Sequence, residues 1–357
     1  MKTLFDTTTL RRHTLKNRIW RSATWLALAD DEGNVTDEIV HTYEELAKGG
    51  AAMIVTGLTS IIEHDAEIGG GAKFYDDRFI AGHKRLTDAI HKHGALVMMQ
   101  TAIVDGPVDE PTDGARAEGK HACPLPCKEE EVDRQLTTEQ VERIVRLFGD
   151  AARRAEEAGY DGVQIHAAHF FYLSKFISPL INHRNDRFGG DQSGRARILC
   201  EILEDMRSKT SPDFLITMKI NSTDEYPGGL TVQDFLVSCK LMADAGIDAI
   251  EVSGNGTSRT GIKAGRSEGY FRAAAMSLAA LVDVPVVLVG GLRSMEKINQ
   301  FLGEGSIEYI SLSRPLVREP NLIQRWQQGD TAPSLCVSCN TCYRTPGHQC
   351  IFNLRRK

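Results

Sequence analysis

The chain has 357 residues, 48 acidic against 42 basic side chains, a net charge of −6 and 41% hydrophobic residues, the composition of an ordinary globular protein. This balance gives no footprint for nucleic acid or an anionic membrane, and the one basic run, Arg355-Arg356-Lys357, reads as solvated. No apolar run approaches the ~20 residues of a membrane span, so a cytoplasmic location is expected.

Along the chain, strand-length apolar runs alternate with segments of helical period. The runs fall at 18–23, 52–56, 95–100, 162–166, 215–220, 249–253, 284–289 and 309–312. Helices are predicted between them, over 37–48, 77–93 and 138–158 for the first three; the last shows the stripe Val141, Ile144, Val145, Phe148 of an amphipathic helix. Gly49-Gly50, Gly94, Gly159 and Gly246 stand where helix ends need a left-handed residue. Runs such as Ala52-Met53-Ile54-Val55 and Val286-Val287-Leu288-Val289 are near-continuously apolar, as in a parallel sheet covered on both faces. Eight such units predict an α/β chain folded as a (β/α)8 TIM barrel, with its site at the C-terminal strand ends. A doubly wound sheet is the alternative, but no G-x-G-x-x-G turn joins a strand to a helix. The division expected is a barrel over 1–332, with a long third loop at 101–137, and a short Cys-rich C-terminal extension over 333–357 packed on it.

The predicted strand ends present Ser22-Ala23-Thr24, Gly57, Gln100, His166, Lys219, Ser253, Gly290-Gly291 and Ser313-Arg314. A glycine pair and an arginine after the last two strands suit a phosphate. His166 and His169 can bind metal or donate hydrogen bonds to a carbonyl. A mononuclear zinc site needs a third ligand that no strand end supplies convincingly, so the donor role is preferred and a metal-dependent hydrolase remains a rival. In the tail, Cys336, Cys339, Cys342 and Cys350 have metal-type spacing. A [4Fe–4S] cluster, zinc and free thiols all remain open for them. Cys123 and Cys127, in the third loop, read as incidental.

Several segments together resemble the old yellow enzyme family of NADH:flavin oxidoreductases: Leu15-Lys16-Asn17-Arg18-Ile19, the run from Ala158 to His169, Phe176-Ile177-Ser178-Pro179, Arg187-Phe188-Gly189-Gly190 and Ser313-Arg314-Pro315. The resemblance implies a barrel that binds FMN and reduces activated alkenes such as α,β-unsaturated carbonyls. It implies that Gln100 meets the flavin pyrimidine edge and that Lys219 lies near N1/O2; Ser22, Ala23, Thr24 and Gly57, at the ends of the first two strands, are expected among the cofactor-binding residues. It further implies that Gly290, Gly291, Ser313 and Arg314 hold the phosphate, and that His166 and His169 hold the substrate carbonyl. The family's proton-donating tyrosine falls on Phe171, which cannot donate, with Tyr172 beside it; its small polar residue after strand one falls on Trp25.

The cysteine tail is similar to the cluster segment of the 2,4-dienoyl-CoA reductase and trimethylamine dehydrogenase branch, with a shorter final loop. Longer members of that branch carry FAD and NAD(P)H domains, so NAD(P)H or an external electron carrier, including a redox partner protein, is the expected reductant. An amine dehydrogenase or demethylase is the main rival activity. The substrate is expected to be a small unsaturated molecule, and a homo-oligomer is compatible with the sequence.

Overall fold

The computed structural model describes residues 1–65, 69–104, 136–255 and 258–354. Most of the third loop, including Cys123 and Cys127, lies outside the described residues, as does the basic run at 355–357.

An antiparallel hairpin of β1 (Thr8–Leu10) and β2 (His13–Leu15) comes first. It is followed by β3 (Ile19–Arg21), β4 (Met53–Ser60), β5 (Ala72–Lys73), β6 (Leu96–Ala102), β7 (Gly162–Ala167) and β8 (Leu215–Asn221). The last three are β9 (Ala249–Ser253), β10 (Val286–Leu288) and β11 (Tyr309–Leu312). Parallel pairing runs β3-β4-β6-β7-β8-β9-β10-β11, and Ile310 beside Ile19 closes the circle. This is the expected (β/α)8 barrel, with β5 added only against the outer end of β4.

Alternation sorts the strand side chains. Trp20, Met53, Val55, Met98, Leu215, Val287 and Tyr309 fill the barrel interior, together with Leu10 and Leu15 of the hairpin. The opposite faces join the helices in a second core that includes Ile54, Val97, Val163, Phe148 and Leu199. The helix Asp37–Lys48 has the predicted bounds, its Thr36 side chain accepting from the Ile39 amide. The helix Thr138–Glu157 opens with a capping box of Thr137 and Gln140. The segment predicted as one helix over 77–93 instead begins with a 3-10 turn, Asp77–Phe79, before the helix Ile80–His91.

Two strands are shorter than predicted. Run 284–289 narrows to β10 because Pro285 has no N–H for the ladder and Gly290, at φ 115°, turns the chain away. Run 18–23 ends at Arg21, which leaves Ser22, Ala23 and Thr24 in the loop at the barrel mouth.

The segment after 332 folds as short turns, Thr341–Arg344 and Pro346–His348, and the helical turn Ile351–Leu354. It lies against the barrel mouth. His348 sets its ring edge-on to Trp25 at 4.6 Å, with Nδ1 3.0 Å from the Trp25 carbonyl oxygen. Asn353 Nδ2 donates to the Arg318 carbonyl at 3.0 Å.

Candidate active site

The C-terminal strand ends surround a cavity that opens to solvent. Ser22, Ala23, Thr24, Gln100, His166, His169, Lys219, Gly290, Gly291, Ser313 and Arg314 all line it. Gly57 does not. Pairing of β4 with β6 shifts between Val55 and Leu58, and this irregularity turns the Gly57 amide onto the Tyr43 hydroxyl at 2.6 Å. A Cβ at Gly57 would stand 2.7 Å from the Thr24 carbonyl oxygen, so its role is to let the Thr24–Trp25 segment pack closely.

At one end stand the two histidines. His166 closes β7 beside Lys219 of β8, and the His166 and His169 rings meet edge-on at 5.1 Å. His169 is held in the left-handed region, φ 63°, by its amide donating to Asn221 Oδ1 at 3.0 Å; its Nε2 lies 2.8 Å from Ser253 Oγ. His166 Nδ1 is buried and has no partner among the described residues.

Burial, then the mutual proximity of His169 and Lys219, pushes the His166 pKa well below the ordinary imidazole value; burial and Lys219 push His169 down to about 3. Both rings are therefore neutral at neutral pH. Affinity for a neutral carbonyl ligand should be flat from about pH 6 to about pH 9 in spectral titrations, and a midpoint near 6.5 would contradict this. The same shifts act on stability. Unfolded imidazoles take up protons below about pH 6.5 while buried His83, lowered to about 3, stays neutral, so acidification to pH 5 should cost about 2 kcal/mol through His83 alone.

Phe171 lines the cavity and packs on His166, ring centroids 4.7 Å apart. Tyr172 does not reach it. Its ring turns back onto Phe176 at 6.0 Å, and burial raises its pKa.

The opposite end is cationic. Gly290 and Gly291 have φ of 115° and 74°, and a Cβ on Gly291 would sit 2.8 Å from the Tyr270 ring. Buried Arg314 donates through Nη1 to the Arg259 carbonyl at 2.9 Å and to Asn340 Oδ1. Arg293, 3% exposed, donates to the Leu292 carbonyl and to Ser338 Oγ at 2.7 Å, while its Nε has no partner among the described residues. Thr24 Oγ1 and Ser313 Oγ lie 2.8 Å apart between the two ends. Among the described residues no carboxylate lines the cavity. Unpartnered donors, a glycine turn and two arginines fit a bound phosphate; Gln100 and Lys219 at the other end fit the hydrogen-bonding edge of a flavin.

Sequence reasoning passed over Arg293, Tyr270 and Tyr343, which also line the cavity, and Glu251, which lies beneath it. Tyr343 comes from the tail, its hydroxyl 2.5 Å from Ser258 Oγ. An acid inside the apolar run of β9 was the available signal for Glu251, since acids are almost never fully buried unless paired.

Cys336, Cys339, Cys342 and Cys350 line one small hollow behind Arg314, together with Val317 and Phe352. All four are free thiols, with Cys339 exposed. Hydrogen bonds from Thr341 lower the Cys339 pKa, whereas burial and the neighbouring thiols raise that of Cys342. Among the described residues no three His, Cys, Asp or Glu side chains group closely enough to hold a metal ion, so none of the three alternatives for the cysteines is singled out. His166 and His169 likewise belong to no such group among the described residues.

The family profile described as "NADH:flavin oxidoreductase / NADH oxidase family" matches residues 3–332. Among characterised proteins, the chain is 31% identical to a metal reductase of Desulforamulus reducens, over 95% of this chain and 51% of that protein. It is also 31% identical to an NADPH dehydrogenase of Geobacillus thermodenitrificans, over 89% of this chain and 91% of the relative. A solved structure of 2-naphthoyl-CoA reductase in complex with 2-naphthoyl-CoA superposes with a TM-score of 0.81 at 24% identity, covering 93% of this chain and 53% of that one, a likeness of fold. The chain thus spans about half the length of some relatives and nearly all of others. Among the described residues no helix is long and apolar enough to cross a membrane.

Proposed function

The chain belongs to the NADH:flavin oxidoreductase / NADH oxidase family, and from that premise we propose that it is an FMN-dependent oxidoreductase reducing an α,β-unsaturated carbonyl or related activated alkene. The observation that carries this reading is the polarity of one cavity, with two arginines at one end and two neutral imidazoles beside a lysine at the other. FMN, held by these residues, would supply the redox chemistry between NAD(P)H or another carrier and the substrate.

The protein's own residues do the rest. Arg293, Arg314, Gly290 and Gly291 hold the phosphate, and Gln100 with Lys219 holds the pyrimidine edge. The imidazole N–H groups of His166 and His169 take the carbonyl oxygen, drawing charge from the alkene without a proton-transfer step. Phe171 offers no proton, so the substrate α carbon is protonated from water.

Purified protein should be yellow, with flavin absorbance near ~450 nm. After anaerobic reduction it should be reoxidised by cyclohexenone. Bleaching by amines without reoxidation by the enone would instead establish an amine dehydrogenase, and colourless protein would discard both readings.

The four cysteines around one hollow support a second, separable reading: a thiolate-bound [4Fe–4S] cluster or zinc ion formed when metal is supplied. Protein purified anaerobically is expected to contain stoichiometric iron and lose it on Cys339→Ser. Metal-free protein with all four thiols titratable would reject uptake.

A further inference from the structure

Of the three cations lining the cavity, Arg293 and Arg314 are met by carbonyl, hydroxyl and amide oxygens; among the described residues, only Lys219 has a carboxylate counter-ion. That carboxylate is Glu251, 1% exposed, one strand over and in register with Lys219. The Lys219 ammonium stands 3.2 Å from Glu251 Oε1 and donates to Ser22 Oγ at 2.9 Å; Ser22 Oγ in turn donates to Glu251 Oε1 at 2.9 Å. Glu251 Oε2 takes the amide of Gln164 at 2.9 Å, and Gln164 Oε1 takes the amide of Gln100 at 2.9 Å.

Resting on the proposed binding of FMN, we infer that Glu251 is a positioning residue that sets both the charge and the polarity of the flavin-binding floor. Two consequences follow from its pairing with Lys219 and from its accepting at both oxygens. First, the Lys219–Glu251 pair is electrically neutral, so the cavity is cationic at its phosphate end and balanced under the ring. A lysine is a point charge on a flexible stem, and the pair with the Ser22 bridge fixes where that charge stands. Second, Glu251 dictates two amide orientations in succession. Gln164 must turn its NH2 to the carboxylate, leaving its oxygen to accept from Gln100. Gln100 then spends an N–H on Gln164, and its own oxygen is free to accept a donor such as the ring N–H of the flavin pyrimidine edge. The side chain that chooses this pattern never touches the cofactor.

The test is a charge series read by the redox potential of bound FMN and by its affinity in both oxidation states. A buried positive charge favours the more negative, reduced flavin, so Glu251→Gln, which unmasks Lys219, should move the potential positive and raise the preference for reduced over oxidised FMN on the order of tenfold. Lys219→Met, which unmasks Glu251, should move it negative by a similar factor. The double variant is neutral again and should return close to the wild type. A merely structural role would not produce this ordering. If Glu251→Gln does not fold, recovery of the Lys219→Met potential in the double variant decides the matter. Wild-type potential in Glu251→Gln, or a double variant no different from Lys219→Met, overturns the inference while leaving FMN binding intact. Wild-type protein that takes up no FMN overturns the proposed function itself.

Discussion

Arg314→Ala should raise the dissociation constant for FMN about a hundredfold while changing that for riboflavin only a few-fold. Arg314 is buried, has no carboxylate partner among the described residues, and is held by the Arg259 carbonyl and Asn340. A charge-assisted hydrogen bond contributes roughly 1.5–3 kcal/mol, and 2.7 kcal/mol is about a hundredfold in affinity. Riboflavin lacks the phosphate and serves as the control; equal losses for both ligands would place Arg314 outside the phosphate site. Asn340→Ala tests the support behind it. Asn340 reaches across from the cysteine tail at φ 60° to accept from Arg314 and to donate to the Ser258 carbonyl. Its loss leaves the guanidinium charged but less well placed, and a smaller, phosphate-specific weakening of about fivefold is expected. Fluorescence quenching titrations of apoprotein with the two ligands give all four constants.

The barrel was legible because its signal is periodic. Near-continuous apolar runs such as Ala52-Met53-Ile54-Val55 suit a strand covered on both faces, and the helix starting at Asp37 is marked by its own cap. Strand lengths were less legible because they depend on backbone donors as well as apolarity; Pro285 removes one and shortens β10.

The cavity residues were visible where they stand at strand ends, as His166 and Lys219 do. Gly57 lies outside the lining because an irregularity in β4 changes which way a strand-end residue faces, and a register shift leaves no mark in composition. Glu251 and Gln164 lie a layer deeper, where sequence shows a polar residue in an apolar run without showing its partner. Tyr343 and Asn340 reach the site by the path of the tail, which no local pattern encodes.

Replacing His166 and His169 together by alanine should abolish binding of carbonyl ligands, a loss of about a hundredfold or more, with FMN still bound in full. Two neutral N–H donors in a site shielded from water each contribute on the order of 1 to 2 kcal/mol to a carbonyl oxygen, and the two losses together reach that range. The single variants should differ. His169 is locked by Asn221 and Ser253 at a strained φ, so His169→Ala also relaxes the loop that carries it. His166 sits at the end of β7 with its Nδ1 unpartnered among the described residues and Phe171 packed on its ring. His166→Ala therefore opens a void beside Phe171 without releasing backbone, whereas His166→Asn keeps a donor and should restore part of the affinity. Activity separates binding from turnover: loss of the donors removes charge stabilisation that grows as hydride arrives, so kcat should fall along with the rise in KM. A variant pair that raised KM alone would show the imidazoles merely seating the substrate. One that lost FMN would show that the β7 end shapes the cofactor site instead.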